Sequence, residues 1–179
     1  MENKKLKLWE LERVNEQEFK AQKKFPLVII LDDIRSLNNI GTFFRTADAF
    51  NVEKIYLCGI TATPPNKDIH KTALGATETI NWEHRESIVD LIDELKKDGT
   101  LIASIEQTED TILLQNIDSI PKQKIALIFG NEVNGVNQEA INKSDYVIEI
   151  PQFGTKHSLN VSVCAGVVLW EFLKREIVK

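Results

Sequence analysis

Five short runs of nearly unbroken apolar, β-branched residues constrain this chain most: LVIILDDI (27–34), KIYLCGI (54–60), TLIASIE (100–106), KIALIFG (124–130) and DYVIEIP (145–151). A strand that is apolar on both faces must be covered on both faces, which is the condition of strands inside a parallel sheet. Helical spacing appears between and after them, over 40–50, over 86–97 with Gly99 as its stop, and from about 158 to 175. This alternation predicts an α/β fold, a mostly parallel sheet flanked by helices. At 179 residues the chain suits one domain with a sizeable core. Residues 5–24 read as an exposed helix with Leu8, Leu11, Val14 and Phe19 as a sparse stripe, ended by Pro26. The expected organisation is a helical extension over 1–25 and a main domain over 26–179.

Composition then excludes whole classes. The first 19 residues are charged throughout and contain no signal-type apolar stretch, and no apolar run approaches the ~18 residues of a membrane span. Cys58 and Cys164 lie in apolar segments without metal-ligand spacing, so they read as reduced core residues of a cytoplasmic protein. A net charge of −5 argues against wholesale wrapping of nucleic acid. It leaves room for local basic patches at Lys20, Lys23 and Lys24, at Arg35 and Arg45, at Lys67 and Lys71, and at Lys156 with His157.

In open parallel sheets, ligands bind beyond the carboxyl ends of the strands. The loops there are polar. The first, DDIRSLNNIGTFFRTADAF (32–50), offers Asn39 as the cap of a helix starting near Ile40 and Gly41 as a point of close backbone approach. Asn38, Thr42 and Arg45 share one face of that helix. Alone, this is also what a capped amphipathic helix with an exposed Arg looks like. A second loop, IFGNEVNGV (128–136), sets two glycines around Glu132, and also reads as an ordinary strand-to-helix turn. It has no Gly-Lys-Ser/Thr, and no strand leads into G-x-G-x-x-G, which counts against a dinucleotide site. The third, IPQFGTKHSLNVSVCAG (150–166), places Ser158 as an N-cap before a helix that is apolar on almost all sides. Such a helix is expected to be buried all round, between the sheet and another subunit.

Together the three loops resemble, in order, spacing and strand context, the signature motifs of the SpoU/TrmH family of SPOUT-class RNA ribose 2′-O-methyltransferases, over about residues 26–175. The resemblance implies a C-terminal deep trefoil knot, bound S-adenosylmethionine, a homodimer, an RNA substrate and no metal. It assigns Asn39, Arg45, Glu132, Ser158 and Asn160 to catalysis and Gly130, Ile150 and Leu159 to the cofactor. Ser104 or Ile105, at the end of LIASIE, is expected to line the same pocket. Family members act on transfer or ribosomal RNA, and the lack of a sizeable N-terminal RNA-binding domain in this sequence tilts the expectation to tRNA.

Methyl transfer from a sulfonium to a hydroxyl demands alignment of oxygen, carbon and sulfur, and help with the hydroxyl proton. The resemblance makes Arg45 the proposed base. A guanidinium stays protonated, so gathering phosphate and ribose oxygens and stabilising alkoxide charge is the firmer role for it. Two rivals stand beside this reading: a SPOUT-shaped RNA-binding protein without catalysis, and an unrelated doubly wound nucleotide enzyme.

Overall fold

The computed structural model describes residues 3–177; residues 1–2 and 178–179 of the two expected segments lie outside them. The sheet has seven parallel strands: β1 (Phe25–Asp32), β2 (Val52–Cys58), β3 (Trp82–Arg85), β4 (Leu101–Ile105), β5 (Ile112–Leu113), β6 (Ile125–Phe129) and β7 (Tyr146–Glu149). Their order across the sheet is β3-β2-β1-β6-β4-β7-β5. Alternation along β1 explains its continuous hydrophobicity. Leu27, Ile29 and Leu31 enter one core layer with Phe43, Phe44, Val168 and Leu169, while Val28 and Ile30 enter another with Leu91, Ile92 and Ala140.

The first layer is covered by α2 (Leu37–Ala49), α3 (Lys67–Ala73), α4 (Ala76–Thr79) and α7 (Val161–Ile177), and the second by α5 (Ile88–Lys97) and α6 (Gln138–Lys143). A Cβ on Gly41 would meet Ile69 O at 2.3 Å, so glycine is what lets α2 and α3 pack this closely. Among the described residues no helix is long and apolar enough to cross a membrane.

Several boundaries differ from the expectations. The helix over 5–24 resolves into a 3-10 turn at Leu8–Glu10 and a six-residue α1 (Glu16–Ala21), because Asn15 and Glu18 form a reciprocal capping box that starts the helix late. Its Phe19 is buried in the first layer, with the Lys24 ammonium over its ring. β3 lacks an apolar run because it is an edge strand whose Glu83 and Arg85 form ion pairs. β5 is only two residues long. Finally, α7 buries Ala165, Val168, Leu169 and Phe172 but leaves Val163, Val167 and Trp170 about half exposed. In the single chain it is therefore covered on one side only.

Candidate active site

The loop after β6 folds back on itself. Asn131 and Gly135 exchange both backbone hydrogen bonds at 2.9 Å, and the Asn131 side chain accepts from Val133 N and Asn134 N and donates to Asp33 O. Gly135 holds φ +70°, and a Cβ on Gly130 would stand 2.1–2.2 Å from the backbone of Val136 and Gly135. Both glycines are therefore required by the turn itself.

That turn delivers the Glu132 carboxylate to the start of α2. It accepts from Arg35 N and Ser36 N, both at 3.1 Å, and from Asn39 Nδ2 at 3.0 Å. Partial desolvation works to raise the carboxyl's pKa, but these donors outweigh it and hold the group below the ordinary glutamate value. Ser36, not Asn39, caps α2, accepting from Asn39 N. Asn39 is inside the first turn, buried, and its side chain is freed for a different task.

A carboxylate only accepts, so it dictates which end of the Asn39 amide faces it. The Asn39 carbonyl then points the other way and accepts from Asn160 Nδ2 at 3.2 Å and from Ser162 Oγ at 3.4 Å. The Asn160 carbonyl in turn accepts from Ser162 N at 3.0 Å and Val163 N at 3.3 Å, capping α7. Here the structure corrects the expectation for Ser158. The cap is Asn160, the helix begins at Val161, and Ser158 is an exposed loop residue. Glu132, Asn39 and Asn160 thus form one oriented relay joining three loops.

Beside the relay opens a cavity of about 650 Å³ at the carboxyl ends of β4, β6 and β7. Ile105, Phe129, Ile148, Ile150 and Leu159 give it apolar walls, with Gly130, Glu132, Ser158 and Asn160 also on its lining. Of the two candidates on β4, Ile105 lines the cavity. Ser104 does not: strand alternation turns it to the opposite face, where its hydroxyl pairs with Ser144 Oγ at 2.8 Å. Burial, with Glu106 adding in the same direction, pushes the Cys164 thiol on the cavity wall up to about 12, which leaves it protonated and unsuited to nucleophilic attack. Arg45 is exposed on α2, two turns in, and has no hydrogen bond or ion pair among the described residues.

Sequence reasoning missed three supports. Glu106 accepts from Val136 N at 3.1 Å and ties β4 to the glycine loop; Gln107 donates to His157 O at 3.3 Å across the cavity mouth; Asp32 accepts from Asn137 N at 2.7 Å. Burial raises the Asp32 pKa, the Asn137 bond opposes this, and Asp33 adds to it. The signal was present, since all three are polar residues at or just beyond a strand's carboxyl end.

The model of the SpoU rRNA methylase family matches residues 26–170. The chain belongs to that family. Among relatives of this SpoU chain, the 23S rRNA (guanosine-2′-O-)-methyltransferase RlmB of Neisseria meningitidis is 32% identical over 154 residues, 86% of this chain and 60% of that protein. The crystal structure of the A. aeolicus TrmH/SpoU tRNA modifying enzyme superposes with a TM-score of 0.79 at 25% identity, covering 90% of this chain and 81% of that one. The AdoMet-bound rRNA methyltransferase from Sinorhizobium meliloti gives 0.78 at 25% identity, covering 90% and 61%. The chain spans about three fifths of the length of the curated relatives it matches.

Proposed function

We propose that this SpoU chain is an S-adenosylmethionine-dependent RNA methyltransferase that modifies a ribose 2′-hydroxyl, of tRNA rather than rRNA. The observation that carries the reading is the Glu132–Asn39–Asn160 relay, set between the cavity and the helix that bears Arg45, which has no ion-pair partner among the described residues. The cavity's volume falls in the usual range of about 300–1,000 Å³ for small-molecule sites. Its apolar walls suit the faces of an adenine, and the polar groups of Glu106 and Gln107 at its lining suit a ribose. When bound there, the cofactor supplies an electrophilic methyl group on a sulfonium.

The protein's own residues do the rest. Arg45, with no acidic partner among the described residues, binds an RNA phosphate and places the ribose oxygen, then stabilises negative charge as the hydroxyl proton passes to solvent water. Asn39 and Glu132 hold α2, and so Arg45, at a fixed angle to the cavity. Leu159 and Asn160 stand on the cavity lining and would close its wall against the bound cofactor.

The half-exposed Val163, Val167 and Trp170 on α7 support a homodimer through that helix. Membership of the SpoU family supports a knotted C-terminal segment. The tRNA assignment follows the name of the A. aeolicus structure, of which this chain covers 81%. Nucleoside mass spectrometry of tRNA and rRNA from cells with and without the gene tests it. One 2′-O-methylnucleoside should vanish from the tRNA fraction. A loss from rRNA alone refutes the tRNA assignment, and a lost base methylation refutes the ribose target.

A further inference from the structure

A second opening, of about 300 Å³, lies over α3 and α4, outside the cavity described above. Pro64 and Pro65 form one apolar wall, and Thr77 with Glu78 forms the other side. Asn66 uses its carbonyl to cap α3, accepting from Asp68 N at 2.9 Å, and its amide hydrogens have no partner among the described residues. Lys71 is engaged with Asp68, whereas Lys67 and His70 line the opening with no ion-pair partner among the described residues. The Thr77 hydroxyl, itself buried, lies 3.5 Å from the Glu78 carboxylate and steers it. The lining therefore combines apolar surface from two prolines, one carboxylate, and donors from Asn66, Lys67 and a His70 ring N–H.

The opening is built on α3 and α4, the helices packed against α2, which carries Arg45. Gly41, Arg45 and Asp48 share one stripe of α2, at i, i+4 and i+7. Gly41 touches α3 at Ile69 and Thr72, and Asp48 accepts from the Thr79 hydroxyl of α4. Arg45 lies between those two contacts.

We propose that the opening binds a guanine base of the substrate RNA, an inference that rests on the RNA methyltransferase reading above. A carboxylate accepts only, and guanine is the base with two adjacent donors, N1–H and N2–H, to offer it. Guanine O6 and N7 are acceptors for the Lys67 ammonium, a His70 ring N–H and the Asn66 amide. Adenine and cytosine each present a single exocyclic donor beside a ring acceptor, and uracil presents one N–H between two carbonyls.

The probes are GMP, AMP, CMP and UMP, titrated into the full chain while the His70 ring and Thr77 amide are followed by NMR. GMP should shift both signals and bind at least fivefold more tightly than the other three. Glu78→Gln, an exposed and fold-neutral change, should erase that preference, and Arg45→Ala should leave it intact. GMP should also inhibit RNA methylation in competition with RNA. Equal binding of all four, a preference that survives in Glu78→Gln, or inhibition that is not competitive with RNA each overturns the proposal. Methylation by the wild-type chain without any GMP effect refutes this opening alone. Failure to methylate any cellular RNA refutes the reading beneath it.

Discussion

Asn39→Asp is isosteric and reverses a single bond, which makes it the sharpest test of the relay. In the native chain Asn39 Nδ2 donates to Glu132 Oε1 at 3.0 Å. The variant sets one carboxylate oxygen against another at that distance. Two charges about 3 Å apart at an effective dielectric of about 20 repel by roughly 5–6 kcal/mol. Taking up one proton relieves this, and the bond then reforms as O–H···O⁻. Holding that proton at pH 7 on a carboxyl of unfolded pKa about 4 costs about 1.4 kcal/mol per pH unit, or about 4 kcal/mol. Protonation is therefore the lesser cost and sets the upper limit. Glu132 is open to solvent on its far side, and screening lowers the expected deficit to about 2–4 kcal/mol at pH 7.

The pH dependence has a definite sign. The variant pair has a folded pKa raised above the unfolded value, so its native state holds a proton that the unfolded chain lacks at pH 7. Its stability relative to wild type rises as pH falls, and the deficit drops below about 1.5 kcal/mol at pH 5. Wild-type Glu132 runs the other way. Its pKa is lowered, so its contribution is present above the unfolded value and is lost as pH falls through the folded one. Urea unfolding of both proteins at pH 7 and pH 5 measures the difference, with m unchanged. An equal deficit at both pH values would falsify the assignment of Asn39 as donor to a charged Glu132.

Arg45→Ala should leave the unfolding midpoint within experimental error and cofactor affinity within twofold by calorimetry, yet lower kcat/KM for RNA at least 100-fold. Retained activity would remove Arg45 from the chemistry. Gly130→Ala sets a Cβ within about 2.2 Å of backbone atoms, so the loop must shift; a loss of about 1–3 kcal/mol in stability and at least tenfold in cofactor affinity is expected. Wild-type affinity would show that the loop is slack. Val167→Asp places a charge in the open stripe of α7 and should convert a dimer to monomers in sedimentation velocity without lowering helix content. A dimer that persists would place the interface elsewhere.

Much of this was legible before any coordinates. The five apolar runs announced a parallel sheet because a strand covered on both faces has no reason to alternate. β3 and β5 were illegible for the complementary reason. Trp82–Arg85 is an edge strand satisfied by ion pairs, and Ile112–Leu113 is too short to carry a pattern. Gly41 and Gly130 were readable as glycines, and the coordinates add which backbone each one faces. The capping residues are not legible from residue type. Ser36, Asn39, Ser158 and Asn160 are all plausible caps by type. Which of them caps depends on Glu132, which is 93 residues from Asn39 in sequence. A local rule cannot see a partner that distant, so Asn39 lost its cap role to Ser36 and Asn160 gained one from Ser158.

The same relay carries a consequence for coupling. Leu159 lines the cavity, Asn160 closes the relay and caps α7, and Val163 begins the exposed stripe. Cavity wall, relay, helix cap and exposed stripe therefore fall within five residues, and none can shift alone. A ligand that presses on Leu159 shifts the peptide that carries Asn160, and Asn160 sets the first turn of the helix proposed to pair with a second copy. Binding and association are then linked, and linkage of binding free energies is reciprocal. If the cofactor's product, S-adenosylhomocysteine, tightens the dimer by some factor, then the monomeric Val167→Asp chain must bind it more weakly at each site by the square root of that factor, because a dimer holds two product molecules. Sedimentation with and without the product gives one number and calorimetry on the variant gives the other. A dimer constant and a product affinity that both stay unchanged would mean that α7 meets its partner independently of the cavity, and the residues from Leu159 to Val163 would then be two neighbouring features and not one device.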